Sequence, residues 1–301
     1  MTRILSIQEF EEAFPDEIAC RAYFAKTRWP NGFKCPRCGF TRYTYVSTRN
    51  VFQCSACSYQ CSLIVGTLFQ DTKLPLRTWF WAIYFLVTIK KGISAMELQR
   101  KLGLGSYDTA WHMHAKIQHA LKDEDAPLLR GIVEADETLY GPNKGEPGRS
   151  TSKAVIAVAV EDRGVYAGNL AIKHVPNASG DCLNSFVGEN ISPDSIINTD
   201  GWSGYSELES MGYNHESIKL DGPTDASEKL PWVHIVISNL KRVLNGTYAG
   251  VSRKHLNKYL QIFAFRLNHR RRLGSAMSEA IQRLVQSIPI TYYQLSTEIS
   301  G

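Results

Sequence analysis

Two C-x-x-C pairs, Cys35-Pro-Arg-Cys38 and Cys54-Ser-Ala-Cys57, lie fifteen residues apart in the first fifth of a 301-residue chain. That spacing falls within the pattern of structural zinc sites. Each pair fits a tight turn that presents two thiolates, and four thiolates close a tetrahedral Zn2+ site. Between them TRYTYVSTRNVFQC alternates with aromatic and β-branched residues around Arg49-Asn50, which predicts a hairpin. A redox dithiol is the competing reading, but it does not explain two matched pairs. Seven cysteines are an odd number, which again favours metal over a disulfide framework. Cys61 sits in the apolar run CSLIVG and reads as core, while Cys20 and Cys182 read as small buried hydrophobes. A ribbon binds DNA, RNA or protein, or simply staples a small fold. Arg37, Arg42 and Arg49 on its loops favour phosphate contact.

The chain is long enough for two or three domains and for a sizeable core. Its richest apolar stretch, Trp79 to Ile89, is about half the length a bilayer requires, so no membrane partner is expected. The start, MTRILSIQEFEEAFPDE, is acidic and amphipathic and lacks the layout of a secretory signal, so a cytoplasmic location is expected. A net charge of +5 says little by itself, but basic residues concentrate at 21–49, 241–258 and 266–272, and acids at 8–17 and 122–137.

Residues 75–89 predict an apolar helix with proline at its first turn. ISAMELQRKLGLGSYDTAWHMHAKIQHAL, at 93–121, then reads as helix, glycine-containing turn, helix. Ile93, Met96, Leu98 and Leu102 supply one apolar face and Trp111, Met113, Ile117 and Leu121 the other. This is the layout of a DNA-reading helix-turn-helix, and also of an ordinary helical hairpin. His112, His114 and His119 read as exposed or phosphate-facing. Asp123, Glu124, Asp125 and Pro127 place a boundary near 126.

Beyond it, GIVEADET, KAVIAVAVED and GVYAGNLAIKHV read as three strands, the middle one buried on both faces. A helix at 179–189 opens at Ser179, followed by the strand SIINTD, a helix around Tyr205–Met211, a strand HESIKL, and helices near 235–245 and 254–270. This is the ribonuclease-H-like order, in which the first and fourth strands are adjacent and parallel. Asp136 and Asp200 each end an apolar, β-branched run on those two strands. Paired carboxylates of this kind are the minimal site for metal-assisted phosphodiester chemistry. Glu137 should face away from Asp136, and Trp202 and Tyr205 either stack on a base or fill the core beneath the site.

The ordered blocks of this chain resemble bacterial insertion-sequence transposases of the DDE type that carry an N-terminal zinc ribbon, the ISXO-type group. The resemblance rests on the ribbon, VGTLFQDTKLPLRTWFWAIY, ISAMELQRKLGLGSYDTAWHM, VEADETLYG, INTDGWSGY, HIVISNLKRVLNGTY and HLNKYLQIFAFRLNHR. It implies a multidomain α/β protein: a helical segment at 1–29, a zinc ribbon at 30–70, a helix-turn-helix-like region at 71–126 and a ribonuclease-H-like catalytic domain at 127–301. It also implies that Asp136 and Asp200 are the first two catalytic carboxylates. The third position falls at His234, seven residues before Lys241 and upstream of Gly246-Thr247-Tyr248, where the group usually has glutamate. His234 then either ligates a metal ion or contacts a metal-bound water or the scissile phosphate. Glu228, Asp225 and Asp221 are alternative carboxylates upstream of it.

The implied cofactors are two Mg2+ or Mn2+ ions held by Asp136, Asp200 and His234, besides the Zn2+ on the ribbon. The implied activity is hydrolysis at the ends of the element followed by attack of the freed 3′-hydroxyl on target DNA. Lys241 would anchor a phosphate, although a lysine on a surface helix is often only solvated. Arg242, Arg270, Arg271 and Arg272 would hold the DNA backbone. The reaction itself, cutting two ends together, implies a homodimer or a higher assembly on DNA. A DNA-binding module with a decayed catalytic domain and a nuclease that cuts without joining are the competing readings.

Overall fold

The computed structural model describes residues 6–122, 126–141, 153–218 and 228–297. In chain order these form α1 (Ile7–Ala13), α2 (Glu17–Arg28), β1 (Tyr43–Val46), β2 (Val51–Cys54), β3 (Gln60–Ser62), α3 (Leu76–Thr88), α4 (Ala95–Leu102) and α5 (Tyr107–Ala120). There follow β4 (Ile132–Tyr140), β5 (Ala154–Asp162), β6 (Ala167–Val175), α6 (Gly180–Asn190), β7 (Ile196–Thr199), β8 (Asn214–Ser217), α7 (Pro231–Arg242), α8 (Leu256–His269), α9 (Leu273–Gln286) and α10 (Tyr292–Thr297). Two compact units emerge: Met1–Leu121 with Arg271–Thr297, and Lys122–Arg270.

In the first unit, most helices start on residues suited to the task. Ser6 and Glu9 form a reciprocal capping box on α1, and Asp16, Ser94 and Ser106 accept the N–H of the third residue of α2, α4 and α5. Helix α3 begins after Pro75, which offers no side-chain acceptor; Glu17 of α2 accepts instead from Leu76 N (3.0 Å) and Arg77 N (2.9 Å). The ribbon is a three-stranded antiparallel sheet in the order β1-β2-β3. Val46 pairs with Val51 across the expected turn at Arg49-Asn50.

Residues 271–297, which the sequence reading placed at the end of the catalytic domain, fold into the first unit. The apolar stripe of α9 (Ala276, Met277, Ala280, Ile281, Leu284) is buried, and α9 packs with α2, α3 and α5. Two expectations for the helical hairpin fail. Met96 is 52% exposed, while Ile93 and Leu98 of the same expected face are fully buried. His114 is buried, with Nε2 bonded to the carbonyl of Ile93 at 2.9 Å, so it ties the start of the hairpin to α5 and does not face outward. His112 is half-buried against the ring of Tyr292 on α10, 4.6 Å away.

The second unit is a five-stranded mixed sheet in the order β6-β5-β4-β7-β8, with β4-β5 and β5-β6 antiparallel and β4-β7 and β7-β8 parallel. Strand β5 is apolar on both faces because each face is covered. On one side Ile156, Val158 and Val160 pack beneath Val233, Val236 and Leu240 of α7 and Leu260 and Phe263 of α8. On the other, Val155, Ala157 and Ala159 pack with Leu183, Phe186 and Val187 of α6. The expected helix around Tyr205–Met211 is instead a single 3-10 turn, Ser203–Tyr205, followed by further turns. Tyr205 and Leu208 are there as plugs in the core of the α6 side.

Candidate functional site

The ribbon brings its four cysteines together through two matching turns. Gly39 N donates to Cys35 O at 2.8 Å and Ser58 N to Cys54 O at 3.0 Å, and both Gly39 and Ser58 have positive φ, +74° and +55°. Glycine adopts that conformation without strain, whereas serine carries a Cβ into it. The four Sγ atoms lie within 4.8 Å of one another, with Cys35–Cys57 at 3.7 Å and Cys38–Cys54 at 3.6 Å. Against burial, which raises it, the backbone N–H groups of Cys57 and Ala56 bring the Cys54 thiol down to about 7. The Phe40 N–H lowers the Cys38 thiol, but the neighbouring thiol of Cys57 and burial push it up to about 12. Four sulfur donors at this separation fit Zn2+, whose charge offsets the crowding of the thiolates.

The second site lies on the α7 face of the mixed sheet. Parallel pairing sets Glu134 opposite Asn198, so two residues further along Asp136 on β4 comes level with Asp200, which directly follows β7. Gly201 then turns the chain at φ +62°, and Trp202 N donates to Asp200 Oδ1 at 3.1 Å. Asp136 pairs across the sheet with Val158 and shares its face; it is 8% exposed and accepts from Glu137 N at 2.8 Å. Glu137 lies on the opposite face, where the Tyr205 hydroxyl donates to it at 3.3 Å. Tyr205 is 2% exposed and therefore fills the core beneath the site. Burial, with the negative charges of Glu137, Asp136 and Asp200 around it, holds its hydroxyl protonated far above the usual phenol range.

His234, in the first turn of α7, closes this group from above. Its Nδ1 lies 3.8 Å from Asp136 Oδ2, and its buried Nε2 meets no hydrogen-bond partner among the described residues. Burial lowers its pKa, Asp200 raises it and Lys241 lowers it again, the balance falling below the ordinary imidazole value. A neutral imidazole with an unsatisfied nitrogen beside two carboxylates is a chemically sound donor set for a divalent ion, manganese accepting nitrogen more readily than magnesium. These three residues do not converge as tightly as the cysteines, which alone among the described residues form a set within 4.8 Å. Lys241 is exposed two turns along the same helix, roughly 10 Å from His234. Glu228 is exposed, while Asp221 and Asp225 lie outside the described residues.

One buried acid on this face escaped the sequence reading. Glu134 is 1% exposed, and its Oε2 accepts the backbone N–H of Val233 at 2.7 Å. Burial pushes its carboxyl up to about 7, against the opposing pull of that N–H. Only the period-2 alternation from Asp136 hinted at its direction.

The expected DNA-binding arginines are differently placed. Arg37, Arg42 and Arg49 are exposed on the ribbon, Arg42 lying 5.4 Å above the ring of Phe40 and Arg49 donating to Gln60 at 3.4 Å. Arg242 is exposed and donates to Asn239 at 2.9 Å, and Arg271 and Arg272 are exposed. Arg270 is spent on structure, donating to the carbonyls of Ala167, Gly168 and Leu267.

Comparison with known proteins converges on one group. Residues 128–268 match the ISXO2-like transposase domain, and residues 15–60 match a transposase zinc-ribbon domain. The chain is 24% identical over 302 residues to an uncharacterized protein in transposable element ISH50 of Halobacterium salinarum, an alignment covering 92% of this chain and 98% of the relative. The chain thus carries, in this order, a transposase zinc-ribbon domain and an ISXO2-like transposase domain, as the insertion-sequence transposases it resembles do.

Proposed function

We propose that the chain binds the terminal inverted repeats of an insertion sequence, cuts them by metal-dependent hydrolysis and joins the freed 3′ ends to target DNA. The observation that carries this reading is the meeting of Asp136, Asp200 and His234 on one face of a parallel strand pair. The strand order, third-second-first-fourth-fifth within the domain with only the second strand antiparallel to the rest, supports a ribonuclease-H-like fold. The boundaries 1–29, 30–70, 71–126 and 127–270 then describe a helical lead, a ribbon, a helical reader and a catalytic domain.

Asp136 and Asp200 would hold the divalent ions, with His234 completing the set through its unsatisfied nitrogen. Such ions neutralise phosphate charge and lower the pKa of water at a hydrolytic centre. In the first step a water oxygen bonds to phosphorus as the bond to the 3′ oxygen breaks; the water gives up a proton to solvent and the departing 3′ oxygen takes one from solvent, leaving a 3′-hydroxyl and a 5′-phosphate. In the second, the 3′-hydroxyl oxygen bonds to a target phosphorus as one target phosphodiester breaks, so bond number is conserved and no energy source is needed. Lys241 sits where it would receive a phosphate on the same helical side as His234. The exposed arginines of the ribbon, with Arg242, Arg271 and Arg272, would bind the DNA backbone. Paired cutting requires two copies on DNA, and a protein acting on the genome would work in the cytoplasm at the nucleoid.

A labelled element end incubated with plasmid, protein and Mg2+ or Mn2+ tests this. We expect a joined product, with D136A and D200A each reducing it at least about a thousandfold, or roughly 4 kcal/mol of transition-state stabilisation, at unchanged fold. Binding without cleavage identifies a decayed catalytic domain; cleavage without joining identifies a nuclease. H234A and H234E, compared in both metals, test the third position, and full activity of H234A removes it from the site.

A further inference from the structure

Helix α7 receives no help from its own N-terminal residues. Leu230 offers no side-chain acceptor and Pro231 has no N–H, so the first amides needing partners are those of Trp232 and Val233. Both face the carboxylate of Glu134 on β4, with Val233 N donating to Oε2 at 2.7 Å. Among the described residues this carboxylate bonds to backbone amides and to no cation, so it is an N-cap supplied from the sheet, where α1, α2, α4 and α5 use the residue before them. The next residue of the helix is His234. Two residues along β4, on the same face, is Asp136, 3.8 Å from the His234 ring.

One short strand segment thus carries both a metal-facing acid and the group that fixes the helix bearing the opposing imidazole. We infer that Glu134 is a positioning residue: by capping α7 it sets the distance and angle of His234 over Asp136 and Asp200. This rests on the reading of those three residues as one site. Glu134 itself stays out of the ion's shell, since it is sealed from solvent and engaged by the helix.

The test uses the full chain with E134L, which keeps the bulk and loses the acceptor, and E134Q, which keeps an acceptor. In metal-free protein, the first-turn amides of α7 in E134L should exchange with solvent about tenfold faster than in wild type, those of β5 being unchanged, while E134Q stays within about threefold. Mn2+ affinity by titration calorimetry and strand-transfer turnover should each fall about tenfold in E134L and be largely restored in E134Q, with affinity for the labelled element end unchanged. In an H234A background, E134L should add no further loss. Unchanged first-turn exchange in E134L overturns the inference, as does an equal loss with and without His234. If E134L fails to fold, E134D, which withdraws the carboxylate by one methylene, carries the same comparison. Wild-type activity in H234A would sink the site reading instead, and the exchange measurement, needing neither metal nor DNA, still decides whether Glu134 holds the turn.

Discussion

The two units begin their helices in different ways. In the first, Ser6, Asp16, Ser94 and Ser106 each cap the helix that follows them, so the start signal and the helix are contiguous in sequence. In the second, α6, α7 and α8 have no side-chain cap from their own N-cap residue, and α7 takes its cap from a strand about one hundred residues earlier. In the first unit α3 and α9 also lack a cap from their own N-cap residue, α3 being capped by Glu17 of α2. Local caps let a helix form before its neighbours arrive; a cap from the sheet makes the helix conditional on the sheet. Where a helix must present a side chain to a strand at fixed distance, the second arrangement couples the two directly.

The ribbon should give the largest effect of all. Its own core is only Phe33, Cys35 and Cys54 with a rim of aromatics, so its stability comes from metal, on the order of 10 kcal/mol. Chelation or C54S should abolish exchange protection in β1–β3 while α3–α5 keep theirs; a ribbon that survives chelation overturns the zinc assignment. Next is the coupling at Glu134. Its carboxyl is raised from 4.5 to about 7, so stability tied to its proton is fully present below pH 4.5 and lost as pH rises through 7. The unfolding free energy of metal-free wild type, from denaturant titration, should therefore fall relative to E134Q by on the order of 2 kcal/mol between pH 4.5 and 7.5. A pH-independent difference would show that the carboxyl titrates normally.

The capping comparison itself predicts smaller numbers. S94A and S106A should each cost about 1 kcal/mol, whereas S179A, at a helix start whose serine caps nothing, should stay within about 0.5 kcal/mol. Equal costs at all three positions would erase the distinction between the units. Smallest is S58G in the second cysteine turn, expected to stabilise the ribbon by roughly 0.5 kcal/mol by relieving the positive φ that Gly39 adopts freely in the first.

Much of this was legible from residues alone. Cysteine spacing located the ribbon, β-branched runs located β4, β5 and β7, and the TDG segment carried its aspartate to a turn that glycine permits. Features that depend on partners were not legible. Met96 reads as core and His114 as exposed, yet Met96 is exposed and His114 is buried on a hydrogen bond to the Ile93 carbonyl, a partner that no local pattern announces. Arg270 looks identical to Arg271 and Arg272 in sequence, yet it is half-buried on the β6 carbonyls of Ala167 and Gly168 while the other two are exposed. Glu134 is one acid in a run of three, and its role becomes visible only when a helix starts above it.

The return of α9 to the first unit sets the order in which a growing polypeptide can mature. Leu68 donates its amide to the carbonyl of Leu284, and α2, α3 and α5 all pack on α9, so the unit that begins at the N-terminus remains unfinished until synthesis has passed Gln286. By then the whole mixed sheet has left the ribosome. A polypeptide cut short within α9 therefore loses the helix on which α2, α3 and α5 pack, so residues that follow the mixed sheet in sequence complete a unit whose other residues precede it.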